Sequence, residues 1–206
     1  MLVPRGSVGY TPAPTRMAHE FVTLVSGLPR SGTSMMMKML EAGGMTVLAD
    51  HVRTADEDNP EGYYEFERVK KIETDQGWLD EARGKVVKMI SALLKHLPPT
   101  YRYKVVFMRR NLTEILASQR QMLVRRGKVT NATSDEKMAA SFTHHLQRVE
   151  EWLAAQPNID VVYVSYNELM QAPEVHCAAV ARFLGLSLDP QRMASVASGA
   201  LYRQRR

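Results

Sequence analysis

The chain has 206 residues, 45% of them hydrophobic and 24% charged, enough to bury the core of one soluble globular domain. Its net charge of +5 favours anionic ligands, but much of the excess sits in Arg125-Arg126 and Arg203 to Arg206, clusters that read as solvated surface rather than a nucleic-acid interface. No apolar run reaches the ~18–20 residues of a membrane span, no basic and apolar leader opens the chain, and the single Cys177 excludes an intrachain disulfide and suits a reducing, cytoplasmic setting.

The opening run Leu2-Val3-Pro4-Arg5-Gly6-Ser7 reads as a thrombin-cleavage remnant of expression, the alternative being a natural disordered tail. Residues 1–16 are therefore set apart, and 17–206 are read as one domain starting near Met17. Phe21 to Ser26 is a β-rich run that stops at Gly27. A Gly/Pro/Ser loop follows, and Met35 to Ala42 reads as a helix halted by Gly43-Gly44. Met45 to Leu48 is a second strand candidate, 50–62 a polar loop, and Tyr64 to Thr74 a helix. Lys85 to Lys88 is a short strand after Gly84, and Lys104 to Met108 a stronger one. A helix is expected from Leu112 to Arg126, with Ile115, Leu116, Gln119, Met122 and Leu123 at helical spacing. Residues 135–155 form a longer amphipathic helix with Met138, Phe142, Leu146, Val149 and Leu153 on one stripe. Asp160 to Val164 is a strand, and Pro173 to Leu184 a helix stopped by Gly185, with Cys177 in its apolar pattern.

Strands alternating with helices predict an α/β chain: a single-domain, three-layer fold with a central parallel sheet. Ligands in such folds bind at the carboxyl ends of strands. The segment Gly27-Leu28-Pro29-Arg30-Ser31-Gly32-Thr33-Ser34 lies there, between a strand and a helix. Its glycines let the backbone approach an anion, and the following helix offers free N–H groups and the positive end of its dipole. Thr33 and Ser34 add hydroxyls and Arg30 a permanent charge. This is a P-loop-like phosphate-binding loop, with glycines that fit G-x-x-x-x-G-K-[ST] at Gly27 and Gly32. Thr33 stands where that pattern has the lysine that reaches the β- and γ-phosphates, which argues against hydrolysis of ATP or GTP.

Pro29-Arg30-Ser31-Gly32-Thr33-Ser34 resembles the first motif of the sulfotransferases that use 3′-phosphoadenosine 5′-phosphosulfate, Pro-(Lys/Arg)-Ser-Gly-Thr-(Thr/Ser) after a strand. Their second motif, a strand ending in Arg-Asn-Pro with a serine eight positions after the arginine, is similar to Val105 to Asn111 followed by Ser118, eight after Arg110; Leu112 replaces the proline. Val161 to Leu169 and the helix ending Phe183-Leu184-Gly185-Leu186 resemble the family's late strand and helix, so the likeness covers about residues 20–186.

The resemblance implies that the loop holds the donor's 5′-phosphate, that Arg110 and Ser118 hold its 3′-phosphate, and that Arg30 stabilises charge on the bridging oxygen. Adenosine 3′,5′-bisphosphate would be the product, and no metal is required. The acceptor would be a small molecule or carbohydrate presenting a hydroxyl or amine. The Lys-Thr-His stretch of cytosolic members becomes Lys88-Met89-Ile90, which keeps the lysine, here assigned to sulfuryl or 5′-phosphate oxygens, and loses the histidine base. Asn59 to Glu65 resembles a stretch of bacterial members that precedes a helix, and Glu65 is the expected base, with Glu67 second. A helix-start carboxylate favoured by the dipole is the alternative for Glu65. His144 and His145 read as packing or surface, with His51 and His96 looser candidates. Met35-Met36-Met37 is expected to pack the helix on the sheet, while Tyr63, Tyr64 and Trp78 either line an acceptor pocket or pack. The Arg-Lys-Gly stretch of many cytosolic members is absent, and Arg203, Arg205 or Arg206 are the residues that could replace it at the 3′-phosphate. The rival readings are a P-loop phosphotransferase or nucleotide hydrolase, and a non-catalytic nucleotide-binding domain.

Overall fold

The computed structural model describes residues 20–50, 64–125, 127 and 134–197. The leading segment, the Asn59 to Tyr63 stretch with His51, and the C-terminal arginines lie outside the described residues. Four parallel strands, β1 (Phe21–Gly27), β2 (Val86–Ile90), β3 (Arg102–Arg109) and β4 (Ile159–Ser165), form one sheet in the order β2-β1-β3-β4. The helices are α1 (Thr33–Ala42), α2 (Leu112–Arg125), α3 (Asp135–Ala154), α4 (Tyr166–Gln171), α5 (Pro173–Leu184) and α6 (Pro190–Ser195). Two 3-10 segments, Glu67–Lys71 and Ser91–His96, flank β2.

The alternation of side chains along each strand divides the core in two. Val25, Val106, Met108 and Val164 point to one face, where Met35, Met36, Met37, Met39 and Leu40 of α1 meet Cys177, Val180 and Leu184 of α5. Val22, Leu24, Val87, Met89, Val105 and Phe107 point to the other, against Trp78, Leu79, Leu94 and Leu153. The expected parallel α/β sandwich is thus the fold observed, and the methionine run packs α1 on the sheet. Trp78 is fully buried, so it packs and lines no pocket.

Local differences from the sequence expectations have local causes. Met45 to Leu48 forms no strand: Val47 makes a single parallel bridge to Val86, after which Asp50 leaves to bond residues 65 and 67. The helix expected from Tyr64 shrinks to Glu67–Lys71 because Tyr64 has a φ of 50° and Phe66 is extended. In α3 the core takes Leu146, Val149, Trp152 and Leu153, while Met138 and Phe142, nearer its start, lie outside both clusters. The short helices α4 and α6 and the 3-10 segment after β2 were not anticipated; each begins at a local cap or strand end rather than on a periodic apolar run. Asp189, for instance, accepts from the amides of Gln191 and Arg192 to start α6.

Candidate active site

The loop after β1 is built by backbone conformations that few side chains tolerate. Gly27 has φ 147°, and a Cβ there would lie 2.6 Å from the Met108 carbonyl oxygen and from Ser31 Oγ. Gly32 has φ 97°, and a Cβ would lie 2.4 Å from the Tyr166 ring. Between them Arg30 takes φ 71°, a left-handed conformation that a non-glycine residue adopts at a cost of order 1–3 kcal/mol. Ser31, 1% exposed, donates its hydroxyl to the Leu28 carbonyl at 2.7 Å and its amide to the same oxygen at 3.2 Å. Both of its donors therefore shape the loop, and Pro29 stands exposed at its turn. The first bond of α1 runs from Met36 N to Gly32 O, so the amides of Thr33, Ser34 and Met35 precede the helical ladder at the positive end of the dipole. These are the donors that a bound oxyanion would use.

Two groups of charged side chains flank the loop. On the β3 side, Arg30 Nε donates to Ser118 Oγ at 2.9 Å, and Arg110 Nη1 donates to the Arg30 carbonyl at 3.1 Å. Arg110 and Ser118, expected to act together, thus both meet Arg30, which lies 80 and 88 residues earlier in the chain. The support of Arg110 comes from residues that sequence reading missed. Glu114, one turn after Arg110, accepts from Arg110 Nε at 2.9 Å, with both side chains largely shielded from solvent. Asn167 Nδ2 donates to the other Glu114 oxygen at 2.8 Å, and the Arg110 guanidinium stacks 4.4 Å from the centre of the Tyr166 ring. The i, i+4 spacing of Arg110 and Glu114 was the one signal available for this pair; Tyr166 and Asn167 had none.

On the β2 side, Lys88 reaches across to α1, with Nζ 3.5 Å from Ser34 Oγ, and lies 4.0 Å from Glu65 Oε1. Glu65 is also 3.7 Å from Lys70 Nζ. Its position is set from its backbone: the Glu65 carbonyl accepts from Asp50 N at 3.0 Å, and the Asp50 carboxylate accepts from Glu67 N at 2.5 Å. Glu67 itself is exposed and pairs with Lys70 at 2.6 Å, away from Lys88. Burial first, and then the hydrogen bond that the Tyr64 hydroxyl donates to Glu41 at 2.7 Å, hold its pKa far above the usual tyrosine value.

The remaining candidates separate cleanly. His144 is exposed and His96 half-buried. His145 is half-buried, with Nε2 2.8 Å from the hydroxyl of Ser91, the first residue after β2. Cys177 is fully buried, and desolvation raises its thiol to about 11, so it is inert core. Among the described residues no group of three or more His, Cys, Asp or Glu side chains could hold a metal, and no helix is long and apolar enough to cross a membrane.

Comparison with solved structures returns the same architecture. A sulfotransferase domain from the curacin biosynthetic pathway superposes with TM-score 0.54 at 17% identity, covering 87% of this chain and 78% of that one. Sulfotransferase STF1 from Mycobacterium tuberculosis H37Rv gives 0.52 at 17%, covering 87% and 72%. Mouse sulfotransferase SULT7A1, complexed with PAP, gives 0.50 at 17%, covering 87% and 63%. No curated protein sequence matches the chain. The family model described as Sulfotransferase domain matches residues 22–204, which includes the loop, both flanking charge groups and all of the four strands but Phe21. The chain belongs to the sulfotransferase domain family.

Proposed function

We propose that the protein transfers a sulfuryl group from 3′-phosphoadenosine 5′-phosphosulfate to a hydroxyl or amine of a small-molecule or carbohydrate acceptor, and that it does so in the cytoplasm. The observation that carries this reading is the pair of charge groups on either side of one phosphate loop. Arg110 and Ser118, which both meet Arg30, suit the 3′-phosphate, since a planar guanidinium and a hydroxyl match a phosphate's oxygens. Thr33, Ser34 and the first amides of α1 suit the 5′-phosphate. Lys88, beside Ser34, suits the oxygens of the sulfuryl group. Membership of the family and the PAP in the mouse neighbour support the choice of donor.

In the reaction the acceptor oxygen forms a bond to sulfur as the bond from sulfur to the phosphate's bridging oxygen breaks. The bisphosphate leaves with that electron pair, and the acceptor's proton passes to Glu65. Charge grows on the bridging oxygen, where Lys88, Arg30 and the loop amides stabilise it without forming a covalent bond. Removal of one such donor is worth roughly 3–4 kcal/mol of barrier.

Calorimetry with adenosine 3′,5′-bisphosphate and, separately, Mg²⁺-ATP tests the reading. Tight bisphosphate binding and weak ATP binding are expected. Ser118→Ala should weaken the bisphosphate about tenfold, and Arg110→Ala by more. Because Arg110→Ala strands the largely shielded Glu114 charge, its melting temperature must be read alongside, and Ser118→Ala carries the argument if it unfolds. Preference for Mg²⁺-ATP, or indifference to Ser118, would move the phosphotransferase reading ahead.

A further inference from the structure

We infer that Tyr64 is a positioning residue: its hydroxyl, latched to Glu41 near the end of α1, holds Glu65 beside Lys88. This rests on the sulfuryl-transfer reading, in which Glu65 takes the acceptor's proton. Tyr64, Glu65 and Phe66 are consecutive, yet they serve both faces of the sheet. Tyr64 packs on the core beneath α1, and Phe66 packs on the core of the opposite face, where its ring meets Trp78 edge-on with centres 5.7 Å apart. In an extended chain, side chains two residues apart point to the same side. The left-handed backbone of Tyr64, φ 50°, breaks that alternation. A residue with a Cβ keeps such a conformation only where its surroundings hold it. Glu65 is thereby set between two anchored aromatic rings.

Three contacts fix this crossing. The residues before Asp50 run along the outer edge of β2, where Val86 N donates to Thr46 O and Leu48 N to Val86 O, each at 2.9 Å. Asp50 N then donates to the Glu65 carbonyl at 3.0 Å, which catches the backbone. Phe66 is seated on Trp78. The third contact is the Tyr64 hydroxyl on the Glu41 carboxylate at 2.7 Å.

That third contact differs from the others in what it connects. Ser34 and Glu41 are seven residues apart, two turns, and so share one face of α1. At one end of that face Ser34 Oγ stands 3.5 Å from Lys88 Nζ, and at the other Glu41 holds Tyr64. The helix whose first amides suit the 5′-phosphate therefore also sets the place of the base, with Glu65 Oε1 4.0 Å from Lys88 Nζ. Glu65 has a second partner: Lys70, exposed to solvent, lies 3.7 Å from its other oxygen. Without the latch the carboxylate can follow Lys70 instead of Lys88. Burial and Glu41 hold the Tyr64 pKa far above the usual tyrosine value, so the latch keeps its proton and is not itself the base.

The test follows release of adenosine 3′,5′-bisphosphate from 3′-phosphoadenosine 5′-phosphosulfate by the full chain, with 2-naphthol as acceptor probe and water as acceptor in its absence. Tyr64→Phe keeps the ring and loses the latch. It should lower kcat about fivefold, near the worth of one hydrogen bond, with the donor's KM and the bisphosphate affinity unchanged. Glu41→Leu should do the same, and Glu41→Gln, whose amide oxygen still accepts, should recover most of the rate. In a Glu65→Gln background Tyr64→Phe should change nothing further, because it acts through Glu65. A merely structural tie would lower the melting temperature and slow both backgrounds equally. The NMR resonance of the Glu65 carboxyl carbon, assigned by its loss in Glu65→Gln, should move in Tyr64→Phe and stay in Glu41→Gln. Unchanged kcat in Tyr64→Phe, an equal loss in both backgrounds, or an unmoved resonance overturns the inference. No bisphosphate release by the wild type would instead overturn the sulfuryl-transfer reading, and the resonance alone then decides the latch.

Discussion

Two lysines of the same sheet, on the strands either side of β1, have different surroundings. Lys104, in the first half of β3, donates from Nζ to the Phe183 carbonyl at 2.8 Å and the Leu184 carbonyl at 2.9 Å, the last turn of α5, and lies over the rings of Phe21 and Phe183. Its charge complements a helix C-terminus and closes two carbonyls that the helix leaves open. Lys88, the middle residue of β2, pairs with Val25, two residues nearer the carboxyl rim than Thr23, the partner of Lys104; its Nζ lies 3.5 Å from Ser34 Oγ and 4.0 Å from Glu65. A parallel sheet explains the difference. All strands end on one side, so the loops and helix N-termini of the carboxyl rim gather donors and positive potential, whereas the amino side receives helix C-termini that need a cation for themselves. Position along the strand, not residue type, separates a lysine that closes a helix end from one that, on the proposed reading, faces the donor.

That comparison can be broken by experiment. The largest effect is expected at Lys88→Met, which should lower turnover about 10²–10³-fold, or ~3–4 kcal/mol of barrier, in a sulfuryl-transfer assay while leaving the melting temperature within a few degrees of wild type. A variant that loses stability but keeps its rate would place Lys88 with Lys104. Next comes Gly32→Ala. The new methyl must displace the Tyr166 ring that stacks on Arg110, and the φ of 97° is strained for alanine. A loss of stability of about 1–3 kcal/mol and a tenfold or greater loss of bisphosphate affinity are expected from denaturant titration and calorimetry.

Lys104→Met should behave in the reverse sense to Lys88→Met. It keeps the apolar stem and loses two charge-assisted bonds, so about 2 kcal/mol of stability should go, read as a fall of roughly 4–8 °C in melting temperature, with bisphosphate affinity unchanged. The smallest effect belongs to Cys177. Buried in the α5 core with its thiol raised to about 11, it should react with an aromatic disulfide reagent only as fast as the chain unfolds. Rapid labelling of the native protein at pH 7.5 would show that this core face opens.

The sheet, the loop and most helices were legible because each is written in consecutive residues. The strand Phe21–Gly27, the glycines at 27 and 32, and the stop of α5 at Gly185 are local statements about backbone conformation, and the structure repeats them. The motif spacing of Arg110 and Ser118 was legible too, since both lie on one strand–helix unit. What escaped was anything that depends on a second element arriving. Asp50 anchors Glu65 and Glu67 across a gap in sequence, and the helix read from Tyr64 was shortened by that anchorage and by the backbone of Tyr64 and Phe66.

The amino-acid sequence by itself determined that this chain would form a parallel α/β sheet and place a glycine-shaped loop with Arg30, Thr33 and Ser34 at a strand's carboxyl end. Periodicity and φ restrictions act over a few residues, so they survive without knowledge of the rest of the fold. Only the tertiary structure decided that Arg30 meets Ser118, that Glu114, Tyr166 and Asn167 surround Arg110, and that His145 meets Ser91. Such contacts depend on which strand lies beside which, and that order, β2-β1-β3-β4, is set by the burial of both sheet faces at once.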